Sequence, residues 1–286
     1  MNWLNDGLIS QKRAVNSPDS KALVGAVRYL NTKPLVHGLE DGTAPFTLCF
    51  DYPSRLADQL AAGQLDVALI PSIEYFLGTD YRIITDACIG CLGPVWSVKL
   101  FFRTNPRDVK TLALDEGSRT SAALAKILLA ERVGIRPAVQ PLPMGSDLRD
   151  CEADAILLIG DRAIHPPEFD SVEVWDLGET WVQWTGLPFV FAMWVARPGI
   201  PTEAIAQRLM EARNHGLENL EAIAAREAPR YRLTTGECFH YFHDSLHFTL
   251  GPKEKEGLTR YYDYAARLNL APGGRKPVYD DCEIAR

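Results

Sequence analysis

A run of hydroxyl-bearing residues, Ser118-Arg119-Thr120-Ser121, stands where an apolar segment ends at Asp115 and an amphipathic one carrying Leu124, Ile127 and Leu128 begins. Hydroxyls at a helix start, with its unpaired N–H groups and the positive end of its dipole, suit a carboxylate ligand. The same pattern also serves as a plain helix cap. Gly160-Asp161 closes another apolar run, and Asp161 fits a base, an orienting acceptor or a cap. Asn31 and Ser97 are neutral polar residues on otherwise apolar segments, where each can position a ligand or simply satisfy the backbone. Tyr29, Thr32 and Ser72 lie at strand-to-helix corners, and Thr185 opens a tight turn, Thr185-Gly186-Leu187-Pro188.

Metal and nucleophile chemistry find less support. His240, His243 and His247 have helical spacing, but Asp244 is the only carboxylate beside them, so solvent-facing or capping histidines are expected. Cys88-x-x-Cys91 has metal or redox spacing without a second pair, and the six cysteines read as reduced thiols in a reducing compartment. G-x-S-x-G, Walker, G-x-G-x-x-G and H-E-x-x-H patterns are all absent.

The elements that must position these residues alternate along the chain. Leu23 to Val27 reads as a buried strand, with Thr32 capping a helix that begins near Pro34. Phe46 to Phe50 reads as a strand, Pro53 to Gly63 as a helix, and Asp66 to Ile70 as a strand leading into Ser72. Ile83 to Cys88 and Val95 to Phe102 continue as strands, and Asn105-Pro106 breaks the pattern. A second α/β series runs from Leu112, and the apolar segment Leu187 to Ala196 can return the chain to the first unit. From Pro201 the pattern is helical, and the tail from Pro272 is expected to pack weakly. Alternation of this kind implies parallel sheets with ligands at the carboxyl ends of their strands.

The expected organisation is a leader over residues 1–20, a discontinuous domain over 21–104 and 195–286, and an inserted domain over 105–194, with a ligand cleft between the lobes. The 286 residues, 47% apolar and 23% charged, suffice for two cores. A formal charge of −7 without a basic cluster argues against nucleic acid. The lack of a long apolar run or signal-type leader predicts a cytoplasmic protein with no membrane partner. Pattern alone leaves an enzyme and a non-catalytic binding module both open.

Taken together, the motifs resemble a known family. Val24-Gly25-Ala26-Val27-Arg28-Tyr29-Leu30-Asn31-Thr32-Lys33-Pro34-Leu35 is similar to the opening motif of the chorismate dehydratases of the futalosine route to menaquinone. Leu65 to Tyr75, Gly93 to Val98, Ser118 to Ser121, Leu157 to Asp161 and Thr185 to Phe189 match in order. The resemblance implies an α/β, periplasmic-binding-protein-like fold of the second type, closing on chorismate without metal or organic cofactor, with a homodimer as the candidate assembly. It implies Asn31 and Ser97 as the functional pair, with Tyr29, Thr32, Ser72, Ser118, Thr120, Ser121, Gly160, Asp161 and Thr185 around the substrate. The sister family that forms dihydroxynaphthoate shares the fold, but Asn31 and Gly160 both favour the dehydratase. Cys91-Leu92 departs from the usual pattern.

Overall fold

A computed structural model describes residues 21–280, so the expected leader over 1–20 and Cys282 lie outside the described residues. The chain opens with β1 (Ala22–Val27), whose second half is buried on both faces as a central parallel strand requires. A 3₁₀ turn over Leu30–Val36 leads to β2 (Phe46–Asp51) and α1 (Pro53–Ala61). Next come β3 (Val67–Pro71), α2 (Ser72–Leu77) and β4 (Arg82–Cys91). The chain then forms β5 (Val98–Phe102), β6 (Thr111–Asp115), α3 (Arg119–Leu128) and β7 (Ala138–Leu142). After β8 (Ala155–Ile159) come the single turn α4 (Asp161–Ile164), β9 (Glu173–Asp176) and α5 (Leu177–Thr185). It finishes with β10 (Phe189–Ala196), α6 (Glu203–Glu218), α7 (Leu220–Glu227), α8 (Thr235–His240), β11 (His247–Thr249) and α9 (Pro252–Arg267).

Two sheets result, ordered β11-β4-β10-β3-β1-β2 and β7-β6-β8-β5-β9. In the first, β1 pairs in parallel with β2 and β3, while β10 runs antiparallel between β3 and β4. In the second, β6 pairs in parallel with β7 and β8, while β5 runs antiparallel between β8 and β9. The plan β2-β1-β3-β10-β4 therefore repeats as β7-β6-β8-β5-β9, and each lobe is completed by the strand that arrives as the chain crosses over. Ligand-binding ends of β1, β3, β6 and β8 meet between the lobes, as parallel-strand topology demands.

Three sequence expectations change. The lobe boundaries do not fall at 104/105 and 194/195: β5 belongs to the second sheet and all of β10 to the first, so the crossings are at 92–97 and 186–188. Asn105-Pro106 is only a turn inside the second lobe, with the Asn105 side chain accepting the Arg107 N–H. Thr32 is not a cap, because the turn already begins at Leu30, and its N–H bonds to Tyr29 O at 3.2 Å. The tail also packs. β11 covers only the later part of β4, so Ile83 bonds instead to Val278 O at 3.0 Å and to the Asp280 N–H at 2.9 Å. Arg82 pairs with Asp280 at 3.2 Å.

No helix among the described residues is long and apolar enough to cross a membrane. The junction of the lobes is aromatic. Trp181 on α5 is fully buried against Phe189 of β10 and Tyr261 of α9, and its Nε1–H donates to Pro188 O at 3.1 Å. Truncating it leaves a cavity and an unpaired carbonyl at the point where the chain returns. Trp181→Ala is expected to cost about 3–5 kcal/mol, read as a lower midpoint in urea denaturation; a loss below about 1 kcal/mol would contradict this packing account.

Candidate active site

Ser97 is presented by the first crossing, and one carboxylate fixes that crossing. Asp176 accepts N–H groups from Val95 at 2.9 Å and Trp96 at 2.6 Å, and also caps α5 by accepting those of Gly178 at 3.0 Å and Glu179 at 3.1 Å. Trp96 has φ +63°, a left-handed conformation disfavoured for a bulky L residue, and the Ser97 N–H bonds back to Val95 O at 2.7 Å. The strained turn persists because its surroundings over-determine it. The Ser97 hydroxyl is buried and accepts from the Tyr241 hydroxyl at 2.8 Å, which leaves its own proton available to a ligand.

The helix start expected at Ser118 forms as a capped N-terminus. Ser118 Oγ accepts the Ser121 N–H at 3.2 Å and donates to Ser121 Oγ at 2.9 Å. Accepting from Ser118 leaves the Ser121 hydroxyl proton free, beside the N–H groups of the first turn. Arg119 points away, pairing with Asp58 at 2.9 Å and Glu74 at 3.3 Å across the lobe boundary.

From the first lobe, Tyr29 reaches across to two glycines of the second. A Cβ on Gly160 would lie 3.1 Å from the Tyr29 ring, and one on Gly117 would lie 2.9 Å from its hydroxyl. Gly160 also has φ +58° and ψ −140°, so both its backbone and its neighbour exclude a side chain. Burial, aided by the charge of Asp115, pushes the Tyr29 phenol well above its usual range and keeps it a neutral donor. Asn31 contacts the Thr32 hydroxyl at 3.4 Å through its carbonyl oxygen, and its amide nitrogen is uncommitted among the described residues.

These groups line a cavity of about 480 Å³, including its open mouth. Tyr29, Asn31, Ser97, Ser118, Ser121 and Gly160 converge on it, and among the described residues no charged side chain lines it. Its apolar wall, including Val27, Ile89, Ile159 and Phe191, was not singled out from sequence, because such residues cannot be told from ordinary core. Tyr241 and Asp176 were missed as supports; they lie far from Ser97 in the chain and match no motif.

Five expected binding residues lie outside the cavity lining. Thr32 is buried behind Asn31. Ser72 donates to Val190 O at 2.8 Å and lies 3.4 Å from Thr120, whose hydroxyl accepts the Ile73 N–H, so this pair staples the lobes together. Thr185 closes the end of α5, donating to Trp181 O and accepting the Leu187 N–H. Asp161 faces an adjoining chamber, where burial raises its carboxyl to about 6 and one oxygen is buried without a hydrogen-bond partner. The histidine spacing is broken by structure: His247 is on β11 beside Glu254, while His240 and His243 share Asp244. Cys88 and Cys91 are fully buried with thiols pushed far above their usual range by burial, and Leu92 is exposed outside the cavity.

A family model described as menaquinone biosynthesis matches residues 22–267. The chain belongs to that family. Over 268 residues it is 34% identical to a Thermus thermophilus protein named chorismate dehydratase, covering 87% of this chain and 97% of the relative. A solved protein of Archaeoglobus fulgidus superposes with TM-score 0.68 at 17% identity, over 89% of this chain and 100% of its own. The periplasmic aliphatic sulphonate binding protein of Escherichia coli does so with TM-score 0.57 at 16% identity, over 94% and 96%. At those identities the likeness is one of fold, and the expected two-lobe periplasmic-binding-protein-like fold is the one observed.

Two outcomes test this geometry. Gly160→Ala should cost about 1–3 kcal/mol in stability and displace the Tyr29 ring, seen as a more open shape in small-angle X-ray scattering; unchanged shape and stability would sink the packing argument. For Asp161, a carboxyl raised on folding holds its proton more tightly in the native state, so stability falls as pH rises from about 4 through about 6. Asp161→Asn should then match the parent near pH 4 and exceed it near pH 7 by roughly 1–3 kcal/mol; urea denaturation at the two pH values measures the difference.

Proposed function

We propose that this chain is a chorismate dehydratase, a carbon–oxygen lyase that eliminates water from chorismate to give 3-[(1-carboxyvinyl)oxy]benzoate on the futalosine route. The observation that carries the reading is a neutral, two-lobed cavity in which the Asn31 amide and the Ser97 hydroxyl stand beside the N-terminus of α3. The near full-length similarity to a relative of that name supports it. A cytoplasmic location and a homodimeric assembly belong to the same proposal.

The reaction removes the hydrogen on ring C3 and the hydroxyl on C4. The C3 hydrogen is acidified by conjugation through the ring double bond to the ring carboxylate, and aromatisation drives loss of water. In this reading the ring carboxylate sits at the start of α3, where Ser121 and first-turn N–H groups stabilise the charge that develops on proton removal. Asn31 and Ser97 orient the ether side chain and assist departure of the hydroxyl. Among the described residues the cavity lining holds no carboxylate or imidazole, and its tyrosine stays protonated. The substrate's own enolpyruvyl carboxylate then takes the C3 proton and returns it to the departing C4 oxygen, so that water leaves, while the closed lobes hold the near-attack geometry and exclude bulk water.

Purified protein incubated with chorismate should yield an aromatic product with the mass of chorismate less one water. Asn31→Ala and Ser97→Ala should each lower kcat/KM by about 10²–10³, and Tyr241→Phe by roughly tenfold through loss of one orienting hydrogen bond, all with unchanged circular dichroism. Chorismate bound tightly but recovered intact would favour a binding module instead. Near-normal turnover in the Asn31 and Ser97 variants would remove them from the mechanism.

A further inference from the structure

A charge imbalance points beyond the cavity itself. A substrate with two carboxylates enters a lining that carries no cation among the described residues, and transferring both charges out of water without a counter-charge is costly. The start of α3 serves one carboxylate; the other needs a partner. This inference rests on the dicarboxylate reading above.

The adjoining chamber, about 710 Å³ with its open side, meets the cavity at Tyr29, which lines both. Its cations are Arg28, Lys33 and Arg230. Lys33 and Arg230 are committed to Glu227, at 3.9 and 3.2 Å, and Glu227 is 2% exposed. Arg28 differs. It directly follows β1, is exposed, and lies over the face of Tyr52 with its guanidinium carbon 5.0 Å from the ring centroid. Among the described residues it has no ion pair within 4.0 Å, although its charge favours the ionised form of Asp161, which faces the same chamber from the second lobe. Stacking holds the guanidinium plane while leaving its N–H donors free, an arrangement suited to donating to a carboxylate oxygen.

We propose that Arg28 is a substrate-binding residue that holds one oxygen of the second carboxylate of a dianionic ligand at the mouth of the cleft, leaving the other oxygen to take the C3 proton. Its position directly after β1, in the segment that also carries Tyr29 and Asn31, couples that capture to the first-lobe side of the site. The charge of Arg28, on a chain of net charge −7, also draws a dianion to the mouth, an effect that salt screens.

The test compares the parent full chain with Arg28→Gln and Arg28→Lys. Calorimetric titration uses benzene-1,3-dicarboxylate as the dianion and benzoate as the monoanion, and chorismate turnover is followed at low and high salt. The parent should prefer the dianion. Arg28→Gln should weaken dianion binding about tenfold and benzoate binding less than twofold. It should raise KM for chorismate about tenfold, lower kcat less than threefold and flatten the salt dependence of kcat/KM. Arg28→Lys should recover part of each effect. Equal losses for both anions, no loss, or a parent without dianion preference would overturn the proposal. If the parent leaves chorismate intact but its dianion preference still requires Arg28, the activity reading fails and the Arg28 site stands. Normal turnover with an unaffected Arg28→Gln variant rejects the Arg28 site alone.

Discussion

The carboxylate of Asp176 is the constraint on which the rest of the molecule depends. Its two oxygens accept four backbone N–H groups, two from the crossing that enters the second lobe and two from the first turn of α5, which leads into the crossing that leaves it. Both passages between lobes are therefore referenced to one side chain. The strained turn at Trp96 is held in place by it, and Ser97 reaches the cleft only because that turn is held. A short neutral side chain would accept fewer bonds and leave buried N–H groups unpaired.

The second constraint is electrostatic. Charged groups of the described residues surround the cavity without lining it: Arg119 ties the lobes together through Asp58 and Glu74, Arg162 pairs with the buried Asp115 at 3.3 Å, and Asp161 turns to the adjoining chamber. Hydroxyls, an amide and a helix N-terminus are left to meet the ligand. Such a site offers fixed dipoles rather than a strong base, which suits a reaction whose substrate carries its own proton acceptor and whose product is aromatic.

Contacts across the cleft explain how the two halves of the site come into register. Tyr29 packs on Gly160 and Gly117, His165 bonds to Tyr231 O at 2.9 Å, and the Ser72–Thr120 staple joins the lobes beneath the cavity. Each links a residue before the first crossing, or after the second, to one between them. In the shared five-strand plan of the lobes β1 corresponds to β6 and β3 to β8. No internal repeat is visible in the sequence, since burial constrains apolarity at these positions rather than identity.

The sequence by itself determined the alternation of strands and helices, the two-lobe organisation and the strand-end location of the site. Those features depend on local periodicity and on glycine, proline and cap residues that act within a few positions of themselves. It also singled out Tyr29, Asn31, Ser97, Ser118, Ser121 and Gly160, which the structure brings to one cavity. Only the tertiary structure decided which sheet β5 and β10 join, because an apolar run fits any central position and pairing partners are chosen by non-local hydrogen bonding. It alone separated Ser72 and Thr120, turned inward to the lobe junction, from Ser118 and Ser121, turned to the cavity. Hydroxyls in similar motifs take opposite roles according to what packs behind them, and the positions that support the site, Asp176 and Tyr241, act from 79 and 144 residues away from Ser97.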